Sequence, residues 1–85
     1  MNAWVKDMKK ITMPKIYTVL GNNIVKYRNL KNFSDIQLAD AVGISHDLIK
    51  QLESGNPKKS ISIETLSKIA QVLNVSVIHL LEQDH

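Results

Sequence analysis

One short phrase occurs four times in this chain: an apolar residue, a serine, three residues of any kind, and a second apolar residue. It reads Phe33-Ser34 with Leu38, Ile44-Ser45 with Ile49, Ile61-Ser62 with Leu66, and Val75-Ser76 with Leu80. A serine at an N-cap accepts a hydrogen bond from a backbone N–H of the first turn, and the flanking apolar pair closes over that turn as a hydrophobic staple. Apolar residues make up 44% of the chain, so one such phrase alone would carry little weight. Four of them in phase with helical hydrophobic patterns mark four helix starts and constrain the chain to an all-α fold.

The stop signals agree with the starts. In the stretch 34–55, Ser34 with Gln37 forms the sequence pattern of a capping box, and Gly43 supplies a residue that tolerates the left-handed conformation at a helix end. Ser45 opens a second helix two residues later, with Leu48, Ile49 and Leu52 as its apolar positions, and Gly55 follows Ser54 as its stop. His46, Asp47, Lys50 and Gln51 are left to face outward. Two short helices around one glycine, the second freshly capped, are the sequence form of a helix-turn-helix, which lays its second helix in the DNA major groove.

Upstream, Leu20, Ile24 and Tyr27 share one helical face, with Leu30 and Lys31 closing the segment and Asn32 suited to a left-handed end. Downstream, Ile63, Leu66, Ile69, Ala70 and Leu73 recur at three and four and predict a helix over 63–73. Asn74 then stops it, and Ser76 starts a last short helix over 77–81. No strand pattern remains, and the expected architecture is a compact all-α bundle.

Composition excludes several function classes. A chain of 85 residues makes one domain with a modest core. The absence of cysteine removes disulfides and thiolate metal sites and fits a reducing cytoplasm. No apolar run is long enough to span a membrane, and Lys6, Asp7, Lys9 and Lys10 interrupt any signal-peptide core. The expected location is therefore cytoplasmic, without membrane association. His46, His79 and His85 lack metal-ligand spacing, and Gly21, Gly43 and Gly55 sit at helical landmarks rather than in a phosphate-cradling loop. Neither a metal, a cofactor nor an enzymatic activity is expected.

From Leu20 to Gln83 the chain resembles the phage repressor/Cro type, or XRE-type, helix-turn-helix family. The resemblance rests on Leu-Gly-Asn-Asn-Ile-Val-Lys-Tyr-Arg at 20–28, Leu38-Ala39, Gly43-Ile44-Ser45, Leu52-Glu53 with Gly55, Thr65-Leu66, Ile69-Ala70, and Leu73-Asn74-Val75-Ser76. Each landmark is weak alone, and their order and spacing make the resemblance strong. It implies a compact five-helix lambda-repressor-like domain over 18–83, bacterial or phage-encoded and nucleoid-associated. A basic N-terminal extension over 1–17 precedes that domain.

The resemblance further implies a transcriptional regulator, a repressor in the first instance, that binds double-stranded DNA sequence-specifically through the helix over 45–54. Arg28 and Glu53 fall where family members form an ion pair. His46, Asp47 and Gln51 inherit base contacts: Gln can pair with adenine N6 and N7, and Asp can accept from cytosine N4. Asp47 has a second reading, as a charge favoured by the helix dipole. Ser45 and its neighbouring amides, with Lys50, Lys58 and Lys59, are the expected phosphate contacts. The alternative for the two loop lysines is an ordinary solvated turn. Family members usually bind as homodimers on two-fold sites, with recognition helices about 34 Å apart, and Ile78 and Leu81 are the candidate dimer contacts.

Two departures stand out. Asp35 occupies a position where the family often has Gln, and a carboxylate cannot donate to a phosphate. Leu48 is apolar at a commonly exposed position, which leaves a thymine methyl, a neighbouring side chain or a partner surface as its contact. Charge is also uneven: residues 1–33 carry a net +6 and residues 34–55 a net −3, so the overall +3 comes from the N-terminal third. Phosphate neutralisation supplies most non-specific DNA affinity, which gives Lys6, Lys9, Lys10 and Lys15 a role as a DNA-binding arm. The other expectation for this extension is an added helix, because Trp4, Val5, Met8 and Ile11 share a face and Pro14 would end it. The acidic 34–55 unit motivates a rival function: a protein-docking module on the same fold, of the antitoxin or antirepressor-partner type, with a regulatory protein as its partner.

Overall fold

A computed structural model of the chain describes residues 13–83 and places five helices there: α1 (Met13–Leu30), α2 (Asp35–Val42), α3 (His46–Glu53), α4 (Ile63–Leu73) and α5 (Val77–Leu81). Each of the last four begins at one of the four serines. The Ser34, Ser45, Ser62 and Ser76 side chains accept from the N–H groups of Gln37, Leu48, Thr65 and His79, in that order. Two of these caps are reciprocal, because Gln37 and His79 reach back to the cap backbone at Ser34 and Ser76. Serine caps of this kind contribute about 1 kcal/mol each. The ends are equally local: Gly43, Gly55, Asn32 and Asn74 all adopt left-handed backbone, at φ 85°, 78°, 59° and 58°.

Before α1 the sequence has the same phrase with threonine in place of serine, Ile11-Thr12 with Ile16. The helix begins at Met13, with Pro14 in its first turn, where an N–H has no intrahelical acceptor and proline is tolerated. The expected boundary at 17/18 therefore falls inside a continuous helix, and residues 13–17 are part of α1. Pro14 lies within a helix start here rather than at a helix end. The expected arm or added helix bearing Trp4, Val5, Met8 and Ile11 lies outside the described residues.

The core joins all five helices. Leu20 and Ile24 from α1, Leu38, Ala39 and Val42 from α2, Ile49 and Leu52 from α3, and Leu66, Ile69, Ala70 and Leu73 from α4 are buried with Leu80 of α5. Burying a side chain of this size contributes roughly 1.5–3 kcal/mol, and the recurrence at three and four delivers each helix one apolar stripe. Helix α1 packs on α3 and α5, and α2 packs on α3 and α4. Residues 44, 61, 75 and 33, the outer halves of the staples, lie against this core half-buried.

Two long-range features fix α1 within the bundle. Asn23 is a buried polar residue whose Nδ2 donates to the carbonyls of Leu80 at 2.8 Å and Glu82 at 2.7 Å. Both amide hydrogens thus satisfy carbonyls at the end of α5 that have no intrahelical donor. Gly21 makes room for α3: a Cβ there would overlap the Leu52 carbonyl oxygen and lie 3.0 Å from that of Glu53. Gly55 does the same beyond α3, where a Cβ would meet Thr18 at 3.1 Å.

Candidate nucleic-acid interface

Helix α3 divides cleanly. Ile49 and Leu52 are wholly buried, while Asp47 and Lys50 are exposed and His46 and Gln51 are partly so. Leu48 packs half-buried against the core, so of its three expected contacts the neighbouring side chains are the one observed. The polar face therefore rests on a rigid apolar base, which is what presentation of a few side chains to a ligand surface requires.

The far end of α3 is clamped to α1. Arg28 Nε donates to Glu53 Oε2 at 2.7 Å and Nη2 to Oε1 at 3.2 Å, a two-pronged geometry that sets orientation as well as charge. The same guanidinium donates through Nη1 to the Phe33 carbonyl at 2.9 Å, holding the α1–α2 turn. Arg28 is thereby committed within the protein.

The two helix starts that flank the turn differ. At α2 the donors are consumed locally: Ser34 Oγ takes the Gln37 N–H, Gln37 Oε1 takes the Ser34 N–H, and Asp35 Oδ1 takes the Ile36 N–H. At α3, Ser45 Oγ holds only the Leu48 N–H, and the His46 and Asp47 amides occupy first-turn positions without an intrahelical acceptor. An anion approaching this face therefore meets donors at α3 and a carboxylate at α2. Asp35 also touches α3 directly, with its Oδ2 3.1 Å from His46 Nε2. The separation is short, although the geometry falls outside that of a well-directed hydrogen bond. The His46 contact, opposed by desolvation and aided by the Ile36 N–H, holds the Asp35 carboxyl below its ordinary value.

Gln51 is engaged at both ends of its amide. Nε2 donates to Asp47 Oδ2 at 2.8 Å, one turn back on α3, and Oε1 accepts the Lys58 N–H at 3.0 Å. Lys58 and Lys59 are exposed in the connection between α3 and α4. That connection is tied again at its far end, where the Tyr17 hydroxyl accepts the Ile61 N–H at 3.0 Å. The structure thus brings Ser45, His46, Asp47, Gln51 and Lys58 to one continuous region. Ile78 and Leu81 lie apart on α5, 66% and 37% exposed.

Four contacts here were not anticipated from the sequence: Asn23 with α5, Tyr17 with Ile61, Asp35 with His46, and Gln51 with Lys58. Only Asn23 carried a visible signal, as a polar residue one turn from Leu20 beside the apolar stripe of α1. Among the described residues no group of three or more His, Asp or Glu side chains is placed to hold a metal ion, and no helix is long and apolar enough to cross a membrane.

Two short helices packed at a left-handed glycine, the second offering a polar face on a buried base, define a helix-turn-helix protein. Residues 24–80 match the helix-turn-helix family HTH_3, and the chain belongs to that family. It is 34% identical over 67 residues to the HTH-type transcriptional regulator SinR of Bacillus subtilis, a match covering 79% of this chain and 60% of that protein. It is 35% identical over 66 residues to the control protein C.SmaI of Serratia marcescens, covering 78% and 76%. Among solved structures, the biofilm regulator SinR in complex with DNA superposes with a TM-score of 0.68 at 35% identity, over 74% of this chain and 98% of that one. A SinR–SinI protein complex matches with a TM-score of 0.70 at 33% identity, over 78% and 63%. The chain thus spans 60% of the length of the Bacillus regulator.

Proposed function

We propose that this protein is a sequence-specific double-stranded DNA-binding transcriptional regulator that enters the major groove with α3. The observation that carries the proposal is the α3 face itself: exposed or half-exposed polar groups at 46, 47, 50 and 51 above buried Ile49 and Leu52. Similarity to a SinR domain solved with DNA supports the same reading. In it, His46, Asp47 and Gln51 form the base-facing set. Ser45 with the first-turn amides of α3, Lys50, Lys58 and Lys59 take phosphates. Repression and binding as a homodimer on a two-fold site belong to the same proposal, with Ile78 and Leu81 at the dimer contact.

Selection of duplexes from a randomised DNA pool by the purified protein tests it. Enrichment of a two-fold site with half-sites about one turn apart is expected. Lys58→Ala with Lys59→Ala should weaken binding and flatten its salt dependence by up to about two units of slope. An unchanged slope removes both lysines from the phosphate contacts. A second reading, docking of a regulatory protein, is favoured by the net −3 of residues 34–55 and by the existence of a SinR–SinI complex. It would be supported by a selection that enriches no sequence.

A further inference from the structure

The amide of Gln51 is bonded at both its nitrogen and its oxygen, and its bonds run along the interface rather than out of it. We propose that Gln51 is a positioning residue: it holds the Asp47 carboxylate and the 56–59 loop in one rigid unit, and Asp47 rather than Gln51 discriminates the base. This rests on the DNA-binding reading above and assigns the roles within it.

Three observations converge. Gln51 Nε2 donates to Asp47 Oδ2 at 2.8 Å, which fixes the rotamer of an otherwise exposed carboxylate and leaves Oδ1 to accept from a ligand. Gln51 Oε1 accepts the Lys58 N–H at 3.0 Å, across seven residues of chain. The Gln51 carbonyl accepts two further donors from the same connection, Ser54 Oγ at 2.8 Å and the Asn56 N–H at 3.0 Å. One residue therefore gathers Ser54, Asn56 and Lys58 on its two oxygens while buttressing Asp47 with its nitrogen.

The chemistry also fixes the amide's orientation. Rotating it by half a turn would set its oxygen against the Asp47 carboxylate and its N–H₂ against the Lys58 N–H, two repulsive contacts in place of two bonds. Bidentate recognition of adenine asks a Gln amide for one acceptor and one donor in a single plane aimed at the base edge. Here that plane is set by Asp47 on one side and the loop on the other. Reorienting it would give up both bonds and release Lys58, the residue assigned to a phosphate. Asp47 needs no such reorganisation to accept from cytosine N4.

The test uses the full chain with Gln51→Ala, Gln51→Glu and Asp47→Ala, comparing base preference by duplex selection and the exchange rate of the Lys58 amide without DNA. In Gln51→Ala, exchange at Lys58 should rise about fivefold, as for the loss of one ordinary hydrogen bond. Affinity should fall across all sequences, and preference should flatten only at the base pair that Asp47→Ala also flattens. Gln51→Glu keeps the acceptor for Lys58 but sets a carboxylate beside Asp47. It should restore slow exchange at Lys58 while base preference stays flattened. Loss of preference in Gln51→Ala at a base pair that Asp47→Ala leaves intact overturns the inference, as does unchanged Lys58 exchange. A wild-type chain that enriches no sequence refutes the DNA-binding reading itself, and the base assignment to Asp47 with it. Faster Lys58 exchange in Gln51→Ala would still support the strut alone in that case.

Discussion

Removing Arg28 should cost this domain about 4 kcal/mol, and the structure shows how the loss divides. Its guanidinium makes two bonds to Glu53 at 2.7 and 3.2 Å and one to the Phe33 carbonyl at 2.9 Å, and the Arg28 and Glu53 side chains are only 16% and 13% exposed. Arg28→Met strands a largely covered carboxylate, which costs about 3 kcal/mol at the lower end of the range for buried pairs. Loss of the Phe33 bond adds about 1 kcal/mol. Glu53→Gln keeps one oxygen facing the guanidinium and should cost about 2 kcal/mol, mainly for the uncompensated charge. The double variant Arg28→Met, Glu53→Gln strands no charge and should lose no more than about 4 kcal/mol, so a coupling of about 2 kcal/mol or more should separate it from additivity. A domain of this size holds roughly 5–10 kcal/mol in total, and Arg28→Met alone should lower Tm by roughly 15–30 °C. Urea and thermal unfolding followed by circular dichroism measure all three. Single losses below about 1 kcal/mol that simply add in the double variant would show the pair to be a surface contact, and refute the role given to it here.

Gly21→Ala should lose about 2 kcal/mol despite a helix-propensity gain of about 1 kcal/mol, because the new methyl meets backbone carbonyls of Leu52 and Glu53 that cannot rotate aside. A Tm equal to or above that of the wild type would mean that α1 and α3 separate freely. Acid should weaken the protein through Asp35, whose carboxyl is held below its ordinary value by His46. A depressed pKa means the contribution is complete at neutral pH and fades as pH falls through the aspartate range. Asp35→Asn should therefore flatten the stability profile between about pH 5 and pH 2, and superimposable profiles would dismiss the contact as incidental.

The parts of the fold that are local in sequence were legible there, and the reason is mechanical. A capping serine meets an N–H two or three residues on, and a left-handed Gly43 or Asn74 answers to carbonyls within its own last turn. Such signals need no knowledge of the rest of the chain. The start of α1 at Met13 was not read because the phrase before it, Ile11-Thr12 with Ile16, has threonine rather than serine, and Pro14 is compatible with a helix end or a helix start. Asn23 reaching Leu80 and Tyr17 reaching Ile61 span 57 and 44 residues, distances over which no sequence pattern sets a partner. The polar face of α3 was legible as a set of residues, whereas its internal wiring was not. Which way the Gln51 amide points depends on a loop that returns to it only after Gly55 turns left-handed.

That wiring also changes the meaning of the charge count. A net −3 over residues 34–55 looks hostile to a polyanion, but its carboxylates are not equivalent. Glu53 is cancelled by Arg28, which lies outside the segment, and counting that arginine with it raises the net from −3 to −2. Asp35 sits beside His46, and Asp47 accepts from Gln51. Meanwhile the Gln51 bond to the Lys58 amide ties α3 to the connection that carries two exposed lysines. Backbone geometry thus adds positive charge at the rim of the α3 face to that of Lys50 on the helix itself. A duplex laid against this region would meet the Asp47 carboxylate held in place by Gln51 and the loop lysines at the edge, where the phosphates run.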